Sequence, residues 1–339
     1  MSQASTKRGQ DQGSKLREEM AQLRAGRAEN AKKHIATMKI VFADKIKESI
    51  QNAIVYKEGQ ARKLDIPEKR FEKTTAQTLH QSSVEALMSI EGEKIAVLNF
   101  ASFTNPGGGY ERGVLAQEEA LCSESDLYPI LDGCRKIFYD DNKTMRRGGL
   151  YTDKSMYVPD VVFGEGNNLK EVGVIVCAAP NKRQALENGR DEIEIEHDLA
   201  RRVEAIMRIA AVQNIDSLVL GAFGCGVFRN DPNYVVKLFK NWLDEHDGVF
   251  NKVVFAIPGG ENFKIFSDVF PEAKKEKENT KEAKDKENAE QEENSKERDW
   301  EQYASSKPDA NQDNDEEDNA GGFSKKDWRY KLAQFKNNG

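Results

Sequence analysis

The sequence has no run of about 18 apolar residues, the least that crosses a bilayer as a helix, so no membrane segment is predicted. Its opening residues, MSQASTKRGQDQGSK, lack the apolar stretch of a secretory signal. Acids stand close to their lysines and arginines, which argues against a transit peptide, and a cytoplasmic or nuclear location is expected. Cysteine is scarce. The four present (Cys122, Cys134, Cys177, Cys225) are widely spaced and form no CxxC pair, so reduced thiols are expected rather than a disulfide framework or a zinc site. The four histidines are scattered as well, and neither a metal nor a cofactor is predicted. An excess of positive charge is also missing: 51 basic residues face 58 acidic ones, which excludes a general nucleic-acid binder. Apolar residues are few, at 38% against 32% charged, and mean hydropathy is −0.74, which points to disordered flanks around a folded core.

What is present is unevenly distributed. Residues 1 to about 13 read as irregular. From Lys15 to Tyr56, Ile35, Met38, Phe42, Ile46 and Ile50 recur at three- and four-residue steps, a helical pattern that Gly59 ends. A short helix is expected over Thr75 to Met88. Apolar runs at Lys94–Phe100, Val172–Ala178, Ser217–Gly221 and Val253–Ile257 predict buried strands, with a shorter one within Met156–Phe163. Between them, Glu118–Cys134, Asp191–Gln213 and Asn233–His246 read as helices, so the expected class is α/β with a mixed, largely buried sheet. After Pro271 the apolar residues almost vanish. From Glu272 to Gly339 there are 19 acidic and 14 basic residues, which carries most of the chain's net negative charge and predicts a solvated tail. Two aromatic islands interrupt it, Asp299-Trp300 with Tyr303 and Phe323 to Phe335 with Asp327-Trp328. They read either as peptide motifs for a protein partner or as stray aromatics.

Two glycine-rich loops follow two of the predicted strands. The first, Asn99-Phe100-Ala101-Ser102-Phe103-Thr104-Asn105-Pro106-Gly107-Gly108-Gly109-Tyr110, leads into Gln117-Glu118-Glu119 at a helix start. The second, Gly221-Ala222-Phe223-Gly224-Cys225-Gly226-Val227-Phe228, joins the SLVLG strand to a helix near Asp231-Pro232. Such loops aim backbone N–H groups and a positive helix end at one place, which holds phosphate without lysine. Either loop alone is equally a tight turn, and neither fits a Walker or dinucleotide pattern. Two at the C-terminal strand ends of one sheet are more telling, because ligands of open α/β sheets bind there.

Asn-Pro-Gly-Gly-Gly at 105–109 followed by Gln-Glu-Glu at 117–119 resembles the signature of the poly(ADP-ribose) glycohydrolase family, in its microbial branch. The blocks VLNFASFTNPGGGYERGVLAQEEALCSESDLYPIL, YVPDVVF, AAPN, LVLGAFGCGVFRNDP and VVFAI stand in that family's order across most of residues 75–258. Phe223 stands where the branch more often has tryptophan. The resemblance implies a macrodomain-like α/β/α sandwich over residues 35–271 with an N-terminal helical extension at about 35–60, while composition and pattern set apart a helical or disordered segment over 1–34 and the charged tail from 272 onward. The resemblance also implies ADP-ribose and its polymer on modified proteins as ligand, with hydrolysis of ribose–ribose O-glycosidic bonds. A monomer is expected. Carried over, Glu119 is the acid, Glu118 positions the ribose, Asn105, Gly107, Gly108 and Gly109 form the loop around that ribose, and Gln117 is a further substrate-binding residue. Gly224, Cys225, Gly226, Val227 and Phe228 form the diphosphate loop, with Phe228 over the terminal ribose. Phe263 is a candidate for the adenine or for the core.

Glycosidic hydrolysis needs a proton for the leaving oxygen and a stabilised oxocarbenium-like transition state. Neighbouring helical residues point about 100° apart, so Glu118 and Glu119 are not expected to flank a bond as a usual glycosidase pair does. A single acid/base assisted by the substrate's own phosphates fits better. Cys225 reads as a packing residue rather than a nucleophile, and His197 and His246 as solvated. A macrodomain that binds ADP-ribose without cutting it is the first alternative. An enzyme for mono-ADP-ribosylated protein or nucleic acid is the second.

Overall fold

A computed structural model gives the architecture and describes residues 3–92 and 94–273, with side chains from Arg17 onward. The chain opens with α1 (Gln3–Val41) and α2 (Ala43–Asn52), separated at Phe42, where the backbone leaves helical geometry (φ −115°, ψ 28°). The helix therefore starts well before Lys15. Once the inner part of α1 is fastened to the body, each added residue contributes a hydrogen bond without a new nucleus, and the helix propagates outward. The short edge strand β1 (Ile54–Tyr56) follows.

The expected helix over Thr75–Met88 is instead a strand and a shorter helix, β2 (Thr75–Leu79) and α3 (Ser83–Ser89). TAQTL pairs in parallel with the next-to-last strand of the sheet, from Thr75↔Lys252 to Leu79↔Ala256, and this long-range ladder overrides local propensity. A capping box between Ser82 and Glu85 then starts α3. Next come β3 (Ile95–Phe100), α4 (Gln117–Ser123) and α5 (Leu127–Gly133). The single helix expected over 118–134 is broken because residues 124–126 bond sideways to the sheet. Asp126 accepts from the Val162 N–H at 2.9 Å, and the Glu124 carbonyl accepts from Gly164 N–H at 3.1 Å.

A π-helical turn (Arg135–Tyr139) runs into α6 (Asp140–Asn142). The antiparallel pair β4 (Ser155–Glu165) and β5 (Asn168–Cys177) comes next, and β4 is longer than expected. Its register shifts between Val158 and Val161, where Pro159 lacks an N–H for the ladder. The remaining elements are α7 (Lys182–Glu187), α8 (Glu192–Val212), β6 (Ser217–Leu220), α9 (Pro232–Glu245), β7 (Lys252–Ala256) and α10 (Gly260–Val269).

The seven strands form one sheet in the order β1-β4-β5-β3-β6-β7-β2, parallel from β5 to β2 and antiparallel at the β4 and β1 end. Alternate residues feed two cores. Leu98, Ile175, Leu218 and Phe255 pack with α8, α9 and α10, while Val97, Val174, Val219 and Val254 pack under α3, α4 and α5. Both faces are covered, as parallel strands require, and the result is the expected α/β/α sandwich. The parallel strands end together, so the loops after β3, β5, β6 and β7 share one edge.

Among the described residues no helix is long and apolar enough to cross a membrane. His246 is half-buried and stacks on Trp242 at 4.2 Å, a correction to its solvated reading, whereas His197 is exposed. The aromatic islands around Trp300 and Trp328 lie outside the described residues.

Candidate active site

The site is built outward from the end of β3. Ladder pairing of β3 with β6 stops at Val97↔Val219, so the backbone beyond it needs other partners. Gln117 supplies them: its Oε1 accepts from Phe100 N–H at 2.9 Å, and its Nε2 donates to the Leu98 carbonyl at 2.8 Å. A third contact, from Nε2 to Ser83 Oγ, ties in α3. Gln117 thus spends its amide on fixing the start of α4 against β3.

With that start fixed, Glu118 and Glu119 point inward and are 4% and 6% exposed, unusual burial for two adjacent acids. Glu118 is held at both oxygens. Oε2 accepts from Ser102 N–H at 2.7 Å, and Oε1 accepts from Asn99 Nδ2 at 3.2 Å. Burial pushes its carboxyl up to about 8, and the neighbouring Glu119 charge adds to this, while donors from Ser102, Asn99 and Gly107 oppose it. Glu119 is held differently: Gly109 N–H donates to its Oε1 at 2.8 Å. Among the described residues no other group bonds to its carboxylate, which leaves Oε2 available.

The three glycines explain the close fit. Gly107 and Gly108 have φ of +60° and +61°, the left-handed region. A Cβ on Gly108 would lie 2.5 Å from Glu119 Oε1 and 2.9 Å from Glu118 Oε2, so both acids reach toward one point beside this backbone. Asn105 is exposed at the loop tip, where its N–H donates to Ser102 Oγ.

The turn after the glycines is clasped by α1. Arg24 and Arg27 each donate through Nε at 2.9 Å, to the carbonyls of Arg112 and Gly113 respectively. His34 Nδ1 meets the Tyr110 hydroxyl at 2.9 Å. Gly113, at φ +67°, presses against the helix so closely that a Cβ would stand 2.1 Å from the Arg24 carbonyl oxygen.

The second loop leaves β6 at the same edge. Gly224 (φ +74°) is held by Asn230, whose Nδ2 donates to the carbonyls of Pro180 at 2.9 Å and Gly224 at 3.1 Å. Among the described residues the N–H groups of Gly226, Val227 and Phe228 have no hydrogen-bond acceptor, and Gly226 and Val227 are exposed. Clustered free N–H groups in a loop form an anion-binding concavity. The Cys225 thiol is pushed up to about 12 by burial, which suits packing and not nucleophilic attack.

An aromatic wall links the loops. Phe103 stacks on Tyr151 at 4.6 Å and 15°, and Tyr151 tilts against Phe228 at 6.3 Å. Tyr151 has φ +61°, strained for a residue with a side chain. Phe263 lies past β7, half-buried and edge-on to His80 at 5.0 Å.

The structure brings the two predicted loops and the two predicted acids to one edge of the sheet, together with Tyr151 and the α1 clasp, which the sequence did not reveal. Asn99 stands at the head of the first predicted loop, but nothing in the sequence ties it to Glu118. Tyr151 and the arginines of α1 had no signal, because their neighbours are distant in the chain.

A family model described as the microbial-type PARG catalytic domain matches residues 17–164. Among solved structures, the chain is similar to poly(ADP-ribose) glycohydrolase from Thermomonospora curvata, at 26% identity and a TM-score of 0.65, covering 73% of this chain and 100% of that one. The same bacterial enzyme bound to the inhibitor ADP-HPD is similar at 27% identity and a TM-score of 0.63, with the same coverage. Poly(ADP-ribose) glycohydrolase from Deinococcus radiodurans, in complex with ADP-ribose, is similar at 30% identity and a TM-score of 0.59, covering 66% of this chain and 96% of that one. No curated protein matches the chain.

Proposed function

This chain belongs to the microbial-type poly(ADP-ribose) glycohydrolase family, and from that premise we propose how its residues cut the polymer. The enzyme is a glycohydrolase that releases ADP-ribose from poly(ADP-ribose). Its ligand is ADP-ribose, taken along the edge where the two glycine loops meet.

Glu119 is the acid. The observation that carries this role is the contrast between the two carboxylates, since Glu118 is bonded at both oxygens and Glu119 at one. Glu119 gives its proton to the departing ribose oxygen as the glycosidic bond breaks, then takes one from the water that attacks the anomeric carbon. Both acids reach the same side of Gly108, an arrangement suited to one acid/base and not to a pair flanking the bond. The positive charge developing at the anomeric carbon is met by the substrate's own diphosphate, held on the N–H groups of Gly226, Val227 and Phe228.

Glu118 holds the ribose. Its raised pKa gives it a proton to donate to a ribose hydroxyl, while Ser102 and Asn99 occupy its acceptor positions. Asn105 and the Gly107–Gly109 backbone close around that sugar, Phe228 covers it, and Gln117 acts as a positioning residue through β3. Phe263 borders the adenine. The catalytic unit ends near residue 271, with the charged tail beyond it as a separate region.

The test is release of ADP-ribose from labelled polymer by wild type and Glu119→Gln, with mono-ADP-ribosylated protein alongside. Turnover of polymer should fall about 10²- to 10⁴-fold in the variant, the usual worth of a general acid. Near-normal turnover would remove Glu119 from its role, and release only from the mono-modified protein would change the substrate.

A further inference from the structure

Three segments meet behind the aromatic wall. The turn at 146–151 is tied to the start of α7 by Asn181 N–H donating to the Gly149 carbonyl at 2.8 Å. The α7 start is tied in turn to the second loop, where Arg183 N–H donates to the Phe228 carbonyl at 3.3 Å. Each segment carries an exposed arginine here: Arg146, Arg183 and Arg229. Arg146 also accepts through its carbonyl from Tyr151 N–H at 3.1 Å, and Arg229 directly follows Phe228.

These arginines differ from the other cations of this face. Arg147 pairs with Glu58 and Asp198, Lys182 with Glu192, and Arg190 with Glu194. Glu58, Asp198, Glu192 and Glu194 are thereby engaged by other cations. Among the described residues Arg146, Arg183 and Arg229 make no side-chain ion pair or hydrogen bond. Three unpaired guanidinium groups on backbones laced together are a concentrated positive field, and its natural complement is an anion with several oxygens. Arg146 lies close enough to the Tyr151 phenol to act on it: burial raises the phenol's pKa, and a hydrogen bond with Asn181 and the Arg146 charge oppose the rise.

The loop at 224–228 already offers backbone N–H groups to one diphosphate, so the three spare cations are open to a second anion. A polymer of ADP-ribose supplies one in every unit. We propose that Arg146, Arg183 and Arg229 form a rim that binds the diphosphate of the ADP-ribose unit adjoining the one in the cleft. This rests on the functional reading above and extends it, because it makes the enzyme prefer polymer over a single modification. The rim binds the diphosphate at the position set by the unit already in the cleft, and it takes no part in bond cleavage.

The experiment compares binding of ADP-ribose with that of a labelled oligomer of several units, in the Glu119→Gln background with and without R146Q/R183Q/R229Q. The changes lie at exposed positions, where substitutions usually alter stability little. The oligomer should bind on the order of 10-fold less tightly in the triple variant, with a shallower salt dependence, as follows from losing phosphate contacts. ADP-ribose affinity should stay within about twofold, the scatter of surface changes. An oligomer affinity that does not move would overturn the proposal. So would an equal loss for ADP-ribose, which would put the arginines on the first diphosphate, or equal competition by single-stranded DNA of matched charge. Turnover of polymer by wild type is followed separately, so failure of the glycohydrolase reading shows there and leaves the affinity comparison intact.

Discussion

Gly108 stands between two acids with no space to spare, and its φ of +61° disfavours any side chain. Gly108→Ala should therefore displace one or both carboxylates. Turnover is expected to fall about 100-fold, the effect of an ångström of misplacement, with a stability loss of about 1–2 kcal/mol from the left-handed backbone. Steady-state hydrolysis and thermal melting check the two together. Glu118 makes a prediction of its own. Folded, it keeps its proton to about pH 8, whereas unfolded it loses it near its ordinary value of 4.5. Between these limits the native state binds more protons than the unfolded chain, so this residue's contribution to stability declines as pH rises from about 4.5 to 8. Melting curves of wild type and Glu118→Gln across that range should diverge, with the variant gaining relative to wild type toward pH 8. Parallel curves would refute the buried, protonated acid.

At the scale of elements, α1 acts on the catalytic loop through a turn it clasps at three side chains. Gly113→Ala places a Cβ against the Arg24 carbonyl, so the helix must move. We expect limited proteolysis to cut α1 earlier than in wild type and turnover to drop several-fold, while ADP-ribose affinity holds. Unchanged turnover would mean that the clasp is only a staple. How much of this was legible follows from where each signal lies. The glycine loops and Gln117-Glu118-Glu119 carry their chemistry in adjacent letters, and the apolar strands carry theirs in composition. β2 was read as a helix because TAQTL has no apolar run, and only its partner β7 makes it a strand. The break between α4 and α5 was hidden because its cause, a bond from Val162 to Asp126, spans 36 residues. Asn99, Tyr151 and the arginine rim became meaningful only once register brought distant segments together.

For the whole molecule, each proposed catalytic and binding residue falls between Asn105 and Phe263, on loops at one edge of a single sheet or on the helix that follows. Deleting residues 274–339 should accordingly leave kcat and Tm within the error of wild type, as measured on polymer and by calorimetry. A large loss of turnover would show that the tail contributes to the site. The same chain holds Glu119 by two routes of very different span. Gly109 closes a loop of 10 residues to reach it, whereas Arg24 closes one of 88 to hold the turn behind Gly109. Closure entropy grows with the logarithm of loop length, so for a chain not yet ordered between these points the longer route is disfavoured by about 2 kcal/mol relative to the shorter. Heating should then release the outer clasp while the inner clip persists. The molecule would pass through a state whose acid is still in place but whose surrounding loop has lost its support.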